Sequence, residues 1–275
     1  MSIPLEDNFT DIIGKAQRGL QLSDEDLAEK AGVTVEALSQ LKAGQFDRET
    51  SDKIASCLQL HEQALADLAE GKWQPNDAVV EGLAQFTTQY HGMAVNSYLV
   101  WDPVGKMAAA FDTGANCDAL LEKSRQEGLS IELILLTHAH PDHIADLQRL
   151  ATVTGAPVHL SELEQATGAQ PIPQGEICSV AGLTIESFLT SGHSPGGMTY
   201  FVRGLDQPVA IVGDSLFAGS MGGGNVSYED AIRNNLEKIL TLPNDTILCP
   251  GHGPLTTVAE EKEHNPFFAG RVEES

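Results

Sequence analysis

The sequence predicts an α/β fold, a mixed sheet flanked by helices, preceded by a small all-α unit. Three observations carry this. From residue 94 onward, short apolar runs alternate with helix-like stretches. Between residues 8 and 68 that strand-like pattern is missing and helix caps recur. The turn-forming stretch Gly71-Lys72-Trp73-Gln74-Pro75-Asn76-Asp77 has the composition of a linker between the two regions. The expected organisation is an all-helical domain over 1–72 and an α/β domain over 78–275.

In the helical unit, Ser23 followed by Asp26 is a capping-box pattern, with aspartate where glutamate is usual. Leu27 and Ala31 then face inward and Gly32 makes a turn. Thr34 caps a second helix carrying Leu38 and Leu41, which Gly44 ends. Helix, glycine turn and second helix resemble the helix-turn-helix of Cro-like phage repressors, over about residues 11–68. The helix that would read DNA offers Lys42 beside Glu36 and Gln40, and over 1–72 acids outnumber bases two to one. DNA binding is therefore not expected of it. Packing or dimerisation is, with a homodimer through this unit as the expected assembly.

In the α/β region, strands are expected at 94–101, 106–111, 131–136, 157–160, 183–189, 198–203, 209–212 and 246–248. Helices are expected at 117–127, from Pro141 through Leu150, near 161–165 and at 228–240. The first two strands can pair as a hairpin through Asp102-Pro103-Val104-Gly105, while later ones are joined by helices.

Composition narrows the function classes. The 275 residues are 41% hydrophobic, ample for a large core. A net charge of −23 argues against nucleic-acid partners, whose affinity comes from lysine and arginine displacing counterions. The start of the chain carries Glu6, Asp7 and Asp11 and no apolar stretch of signal length. No apolar run of membrane-spanning length (about 18 residues) is present. Cys57, Cys117, Cys178 and Cys249 are too scattered for a disulfide framework. A cytoplasmic protein with reduced cysteines, no membrane contact and a small-molecule substrate is expected.

The chemistry concentrates at His138-Ala139-His140-Pro141-Asp142-His143, directly after the apolar run 131–136. His138 and His140, two apart in an extended loop, can point to one side. Pro141 suits the first position of a helix, which turns Asp142 and His143 toward a neighbouring point. One short segment could thus serve two metal ions. Three further turns follow strands: the Gly-rich loop around His193, Asp214 after Gly213, and His252 between Gly251 and Gly253. Each sets one imidazole or carboxylate at a strand end, where loops of a sheet converge.

HxHxDH, GHSPGG around His193, GDSLF around Asp214 and PGHGP around His252 occur in the order of the metallo-β-lactamase superfamily, and the chain resembles its glyoxalase II-like hydrolases over about 78–275. The resemblance implies an αβ/βα sandwich with the site at one edge. It implies that His138, His140 and His193 hold a first metal, that Asp142, His143 and His252 hold a second, and that Asp214 bridges them. Asp112, in the Phe111-Asp112-Thr113-Gly114 turn, would support the ligands from behind. Long glyoxalase II enzymes carry a helical domain after the last histidine, whereas this sequence ends at Ser275, so that domain is not expected. The segment 217–225 aligns with the glycine-rich loop of shorter relatives but lacks their arginine, leaving Asn225 as a candidate substrate contact. Tyr90 and His91, ahead of the first expected strand, are candidates at the substrate mouth.

Imidazoles and carboxylates suit two zinc ions, with iron as the alternative. Such a pair can share a hydroxide that attacks a carbonyl, with Asp142 accepting the water's proton, so no protein nucleophile is needed. The expected function is hydrolysis of a small ester, thioester or lactone. Two alternatives stand beside it: a mononuclear iron persulfide dioxygenase using His138, His193 and Asp214, and a ligand-sensing DNA-binding regulator.

Overall fold

The computed structural model describes residues 3–271, in which two six-stranded sheets face each other with helices outside both. The first sheet runs β1 (Leu83–Tyr90), β2 (Met93–Trp101), β3 (Met107–Phe111), β4 (Ser130–Leu135), β5 (Val158–Ser161) and β6 (Ala169–Ile172), each beside the next. The second runs β7 (Ile177–Val180), β8 (Leu183–Leu189), β9 (Met198–Arg203), β10 (Val209–Gly213), β11 (Ile247–Pro250) and β12 (Thr256–Thr257) in the same sequential manner. Pairing is antiparallel except from β3 through β6 and between β10 and β11.

Two-residue alternation sorts the layers. On β3, Ala109 and Phe111 enter the core between the sheets, while Ala108 and Ala110 face the outer helices. On β4 the alternation slips: Ala108 pairs with Ile131 but Ala109 with Leu133, so Glu132 is an extra residue. This bulge lets Ile131 pack outward and Leu133 inward while Glu132 stays exposed.

The first sheet's outer face is covered by α6 (Asp118–Glu127) and by α7 (Pro141–Ile144) and α8 (Leu147–Thr154). The last two replace the single helix expected from Pro141 through Leu150. The break falls at Asp146, whose N–H donates to Thr113 Oγ1 at 3.2 Å and whose carboxylate accepts from Cys117 N at 3.0 Å. The helix expected near 161–165 is a turn instead. The helix expected over 228–240 is α9 (Tyr228–Asn234), followed by a π-helical turn at Asn235–Ile239. There the Asn235 amide donates to Ala231 O and Ser215 O, competing with the regular ladder. Strands β1, β6, β7 and β12 and helix α10 (Val258–His264) were not anticipated.

Five helices precede the sheets: α1 (Phe9–Gly19), α2 (Asp24–Ala31), α3 (Val35–Lys42), α4 (Arg48–Cys57) and α5 (Glu62–Ala69). Ser23 and Asp26 form the expected capping box, and Gly32 takes the left-handed turn. The apolar residues buried among these helices are continuous with those of the second sheet's side. Ile12, Leu27, Leu38, Ile54 and Leu65 join one apolar cluster with Val212, Leu216 and Leu248 of the second sheet's side and with Phe267 and Phe268. On α3, Val35, Glu36, Ser39 and Gln40 are exposed, while Lys42 is paired with Asp24 at 2.6 Å. No helix among the described residues is long and apolar enough to cross a membrane.

Glu261 of α10 is fully buried where these layers meet. It accepts from Gly219 N, Thr256 Oγ1 and Asn265 Nδ2, all neutral donors. Burial pushes its carboxyl from 4.5 up to about 8, against those hydrogen bonds. The fold therefore favours the protonated form, and this stability is fully present below about pH 4.5 and lost as pH rises through about 8. Glu261→Gln is expected to remove that part of the pH dependence in denaturant unfolding. An unchanged pH slope would show that Glu261 does not titrate this way.

Candidate metal centre

The ligand-bearing loops leave both sheets at one edge, and each sheet holds the other's loop. Tyr200 of β9 donates to Leu136 O at 2.8 Å, just before the His138 loop. Tyr98 of β2 donates to Pro250 O at 2.7 Å, just before the His252 loop. Main-chain bonds from Met198 N to Thr137 O and from Asn96 N to Gly251 O, both 2.8 Å, complete the staple.

Within this frame the sequence-predicted ligands converge. His138 Nε2 and His193 Nε2 lie 3.0 and 3.1 Å from His140 Nδ1. Nitrogens on a tetrahedral zinc lie about 3.3 Å apart, given bonds of about 2.0–2.1 Å, so this trio has the spacing of a coordination shell. A second group comprises Asp142, His143 and His252, with His143 Nε2 and His252 Nε2 at 3.7 and 3.5 Å from Asp142 Oδ2. Asp214 touches both groups. Its Oδ2 is 3.4 Å from His193 Nε2 and from His252 Nε2, and its Oδ1 is 3.3 Å from His143 Nε2.

The outward nitrogen of four of these imidazoles is fixed, which sets the tautomer and aims the other nitrogen inward. His143 Nδ1 donates to Asp112 Oδ2 at 2.8 Å, His193 Nδ1 to Gly223 O at 3.0 Å, and His252 Nδ1 to Ala94 O at 2.5 Å. His138 Nδ1 meets Thr137 Oγ1 at 3.1 Å. Asp112, at a left-handed φ of 56°, also accepts from Thr137 N and Thr137 Oγ1, both at 2.8 Å. One buried carboxylate thus orients a ligand from each group.

His143 Nε2 and Asp214 Oδ1 are buried without a hydrogen-bond partner, a costly arrangement that a coordinated cation would relieve. Burial lowers His138 and His193 below the usual imidazole range, keeping them neutral as ligands require. Burial also opposes charge on His143 and His252, but Asp214, with Asp112 and Asp142, outweighs it and lifts them to about 10 and about 11. These carboxylates call for positive charge here. Room for it depends on glycine: a Cβ on Gly251 would lie 2.1 Å from Asp214 Oδ1, and one on Gly222 would lie 1.9 Å from Asp214 O. The donor set fits two divalent ions.

The remaining candidates are placed differently. Tyr90, half-buried at the end of β1, and His91, in the exposed turn after it, lie ring against ring at 4.5 Å, and among the described residues neither bonds to a metal-ligand candidate. Asn225 is exposed, and its N–H donates to Gly223 O, the carbonyl that holds His193. Ser215 donates to Thr190 Oγ1 at 2.8 Å and so serves the loop. Glu164 escaped the sequence reading. It accepts from Ala139 N at 3.2 Å and Gly196 N at 3.1 Å, joining the His140 loop to the His193 loop, and no local signal announces it.

A family model described as the metallo-beta-lactamase superfamily matches residues 92–252. The hydroxyacylglutathione hydrolase GloC of Haemophilus influenzae is 30% identical over 198 residues, covering 63% of this chain and 92% of that protein. The crystal structure of BLEG-1 B3 metallo-beta-lactamase aligns with a TM-score of 0.61 at 31% identity, over 68% of this chain and all of that one. TTHA1623 in a di-iron-bound form aligns with a TM-score of 0.55 at 28% identity, over 66% of this chain and 99% of that one.

A cation at 100 times its dissociation constant stabilises the fold by about 2.7 kcal/mol per site. For a chain of this size that is a Tm rise of roughly 5–10 °C. Thermal unfolding with zinc against chelator is expected to show it, and Gly251→Ala, which drives a methyl group into Asp214, should remove most of the rise. An undiminished rise in the variant would place the cation elsewhere.

Proposed function

The chain belongs to the metallo-β-lactamase superfamily, and from that premise we propose that it is a dinuclear metallo-hydrolase cleaving a small ester, thioester or lactone. The observation that carries the reading is Asp214, which reaches His193 of one group and His143 and His252 of the other. In this reading His138, His140 and His193 hold one ion, Asp142, His143 and His252 hold the second, and Asp214 is shared.

Two divalent ions held by these residues would supply an activated water and a Lewis acid for a carbonyl oxygen. The protein does the rest. Asp112, Thr137, Gly223 O and Ala94 O hold the imidazoles so that little reorganisation accompanies reaction. Burial raises the Asp142 carboxyl, but His252 and His143 outweigh this and hold it below its usual range. It is therefore ionised at neutral pH and positioned to take a proton from attacking water. Ser194 and Ser215 are not needed as nucleophiles.

The likeness to a hydroxyacylglutathione hydrolase supports a thioester, and the likeness to a B3 metallo-beta-lactamase makes a β-lactam the competing acyl substrate. The di-iron-bound relative supports iron as an alternative to zinc. A mononuclear iron persulfide dioxygenase built on His138, His193 and Asp214 has the His193–Asp214 contact of 3.4 Å in its favour. It leaves Asp142, His143 and His252 without a role.

A panel of thioesters, lactones, β-lactams and persulfides offered to the metal-loaded protein separates these readings. Hydrolysis of a thioester or lactone is expected, with Asp142→Ala lowering kcat roughly 10²–10⁴-fold. Oxygen uptake on a persulfide with no hydrolysis of any acyl substrate would reverse the conclusion.

A further inference from the structure

The walls of the metal centre are not all built by the sheets. The segment before α1 crosses the His252 loop: a Cβ on Gly253 would lie 3.2 Å from Glu6 N, 3.6 Å from Glu6 Cβ and 3.7 Å from Pro4 O. Asp7, next along, accepts from Ser220 Oγ at 2.6 Å and is paired with Lys15 of α1. The Lys15 ammonium also donates to Met221 O at 2.8 Å and sits 4.9 Å from the centre of the Phe217 ring. That ring meets His252 edge-on at 5.6 Å. A clasp from the helical segment thus grips both the loop after Asp214 and the loop of His252. Its gripping residues, Pro4, Glu6, Asp7 and Lys15, lie outside residues 92–252, which the family model matches.

Lys15 and Asp7 are engaged in the clasp, with side chains only 14% and 8% exposed. Glu6, fixed between them and Gly253, is exposed, and among the described residues no hydrogen bond holds its carboxylate. Burial raises its carboxyl above the usual range, with His252 and Lys15 pulling it down and Asp7 and Asp214 pushing it up. Its main chain and Cβ lie against Gly253, so this carboxylate stands beside the loop that carries His252.

We propose that Glu6 is a specificity-determining residue, which turns away substrates that bear a carboxylate and favours neutral or ammonium-bearing ones. The inference rests on the hydrolase reading above. Two dications, two carboxylates and a hydroxide would leave a centre near +1, which by itself attracts anions; Glu6, beside the His252 loop, offsets that attraction. The chain's net charge of −23 acts in the same sense. A glutathione leaving group carries two carboxylates, so this mouth suits a smaller, uncharged or cationic thiol or alcohol.

The test uses three thiols that bind zinc through sulfur and differ in charge: mercaptoacetate, 2-mercaptoethanol and cysteamine. Their dissociation constants are measured on the zinc-loaded full chain at neutral pH, for the wild type, Glu6→Gln and Glu6→Lys, after equal zinc content is verified. The wild type is expected to disfavour mercaptoacetate against cysteamine. Glu6→Gln should narrow that ratio roughly tenfold, and Glu6→Lys should invert it. A ratio unchanged in both variants overturns the proposal. The hydrolase reading fails separately if the thiols bind with this charge dependence while none of their acetyl thioesters is cleaved.

Discussion

The carboxylate of Asp214 is the constraint around which the rest is arranged. It is buried, it lies within 3.4 Å of three imidazoles, and its Oδ1 has no hydrogen-bond donor. A carboxylate taken out of water needs positive charge or donors around it, or it destabilises the fold by several kcal/mol. The parallel pairing of β10 with β11 brings Gly213 beside Pro250, and Gly251 N donates to Gly213 O at 2.9 Å. Only because residue 251 lacks a side chain can the His252 loop approach Asp214 so closely. The sheet pairing and the glycine are two parts of one requirement.

Precision at the centre comes from ties that cross the sandwich. Tyr98 and Tyr200 each reach from one sheet to the last carbonyls before a ligand loop of the other, so the two halves of the ligand set cannot drift apart independently. Glu164 does the same between two loops, through main-chain donors alone. Asp112 is held in a left-handed conformation that few non-glycine residues adopt, and it returns three hydrogen bonds for it. Such ties place the inward nitrogens before any ion arrives.

The centre was legible in the sequence because four of its residues are nearly contiguous and the other three stand alone in turns rich in glycine or bounded by a strand. Their chemistry is local and survives without knowledge of the fold. The longer strands were legible for a similar reason, since Val209 to Gly213 and Met198 to Val202 are buried throughout and, but for Thr199, lack strongly polar side chains. What depended on distant partners was not. The edge strand β6, Ala169–Ile172, contains a proline and two exposed residues and has no apolar alternation to show. The helix breaks at Asp146 because of bonds to Thr113 and Cys117, far away in sequence. The clasp of Asp7 and Lys15 likewise joins positions more than two hundred residues apart in the chain. The helix, turn and helix of α2 and α3 were visible from caps and a glycine, but that Leu27 and Leu38 join one apolar cluster with Leu248 and Val212 was not.

The helical segment therefore shares an apolar cluster with the sheets, and the segment before α1 lies against the loops that follow Asp214 and carry His252. Two ions sharing Asp214 are the central requirement of this centre. Metal content per chain, measured on protein purified without chelator and reloaded with zinc to saturation, tests this most directly. Two ions per chain in the wild type are expected. Saturation at a single ion would contradict the shared-carboxylate centre and leave Asp142, His143 and His252 unexplained.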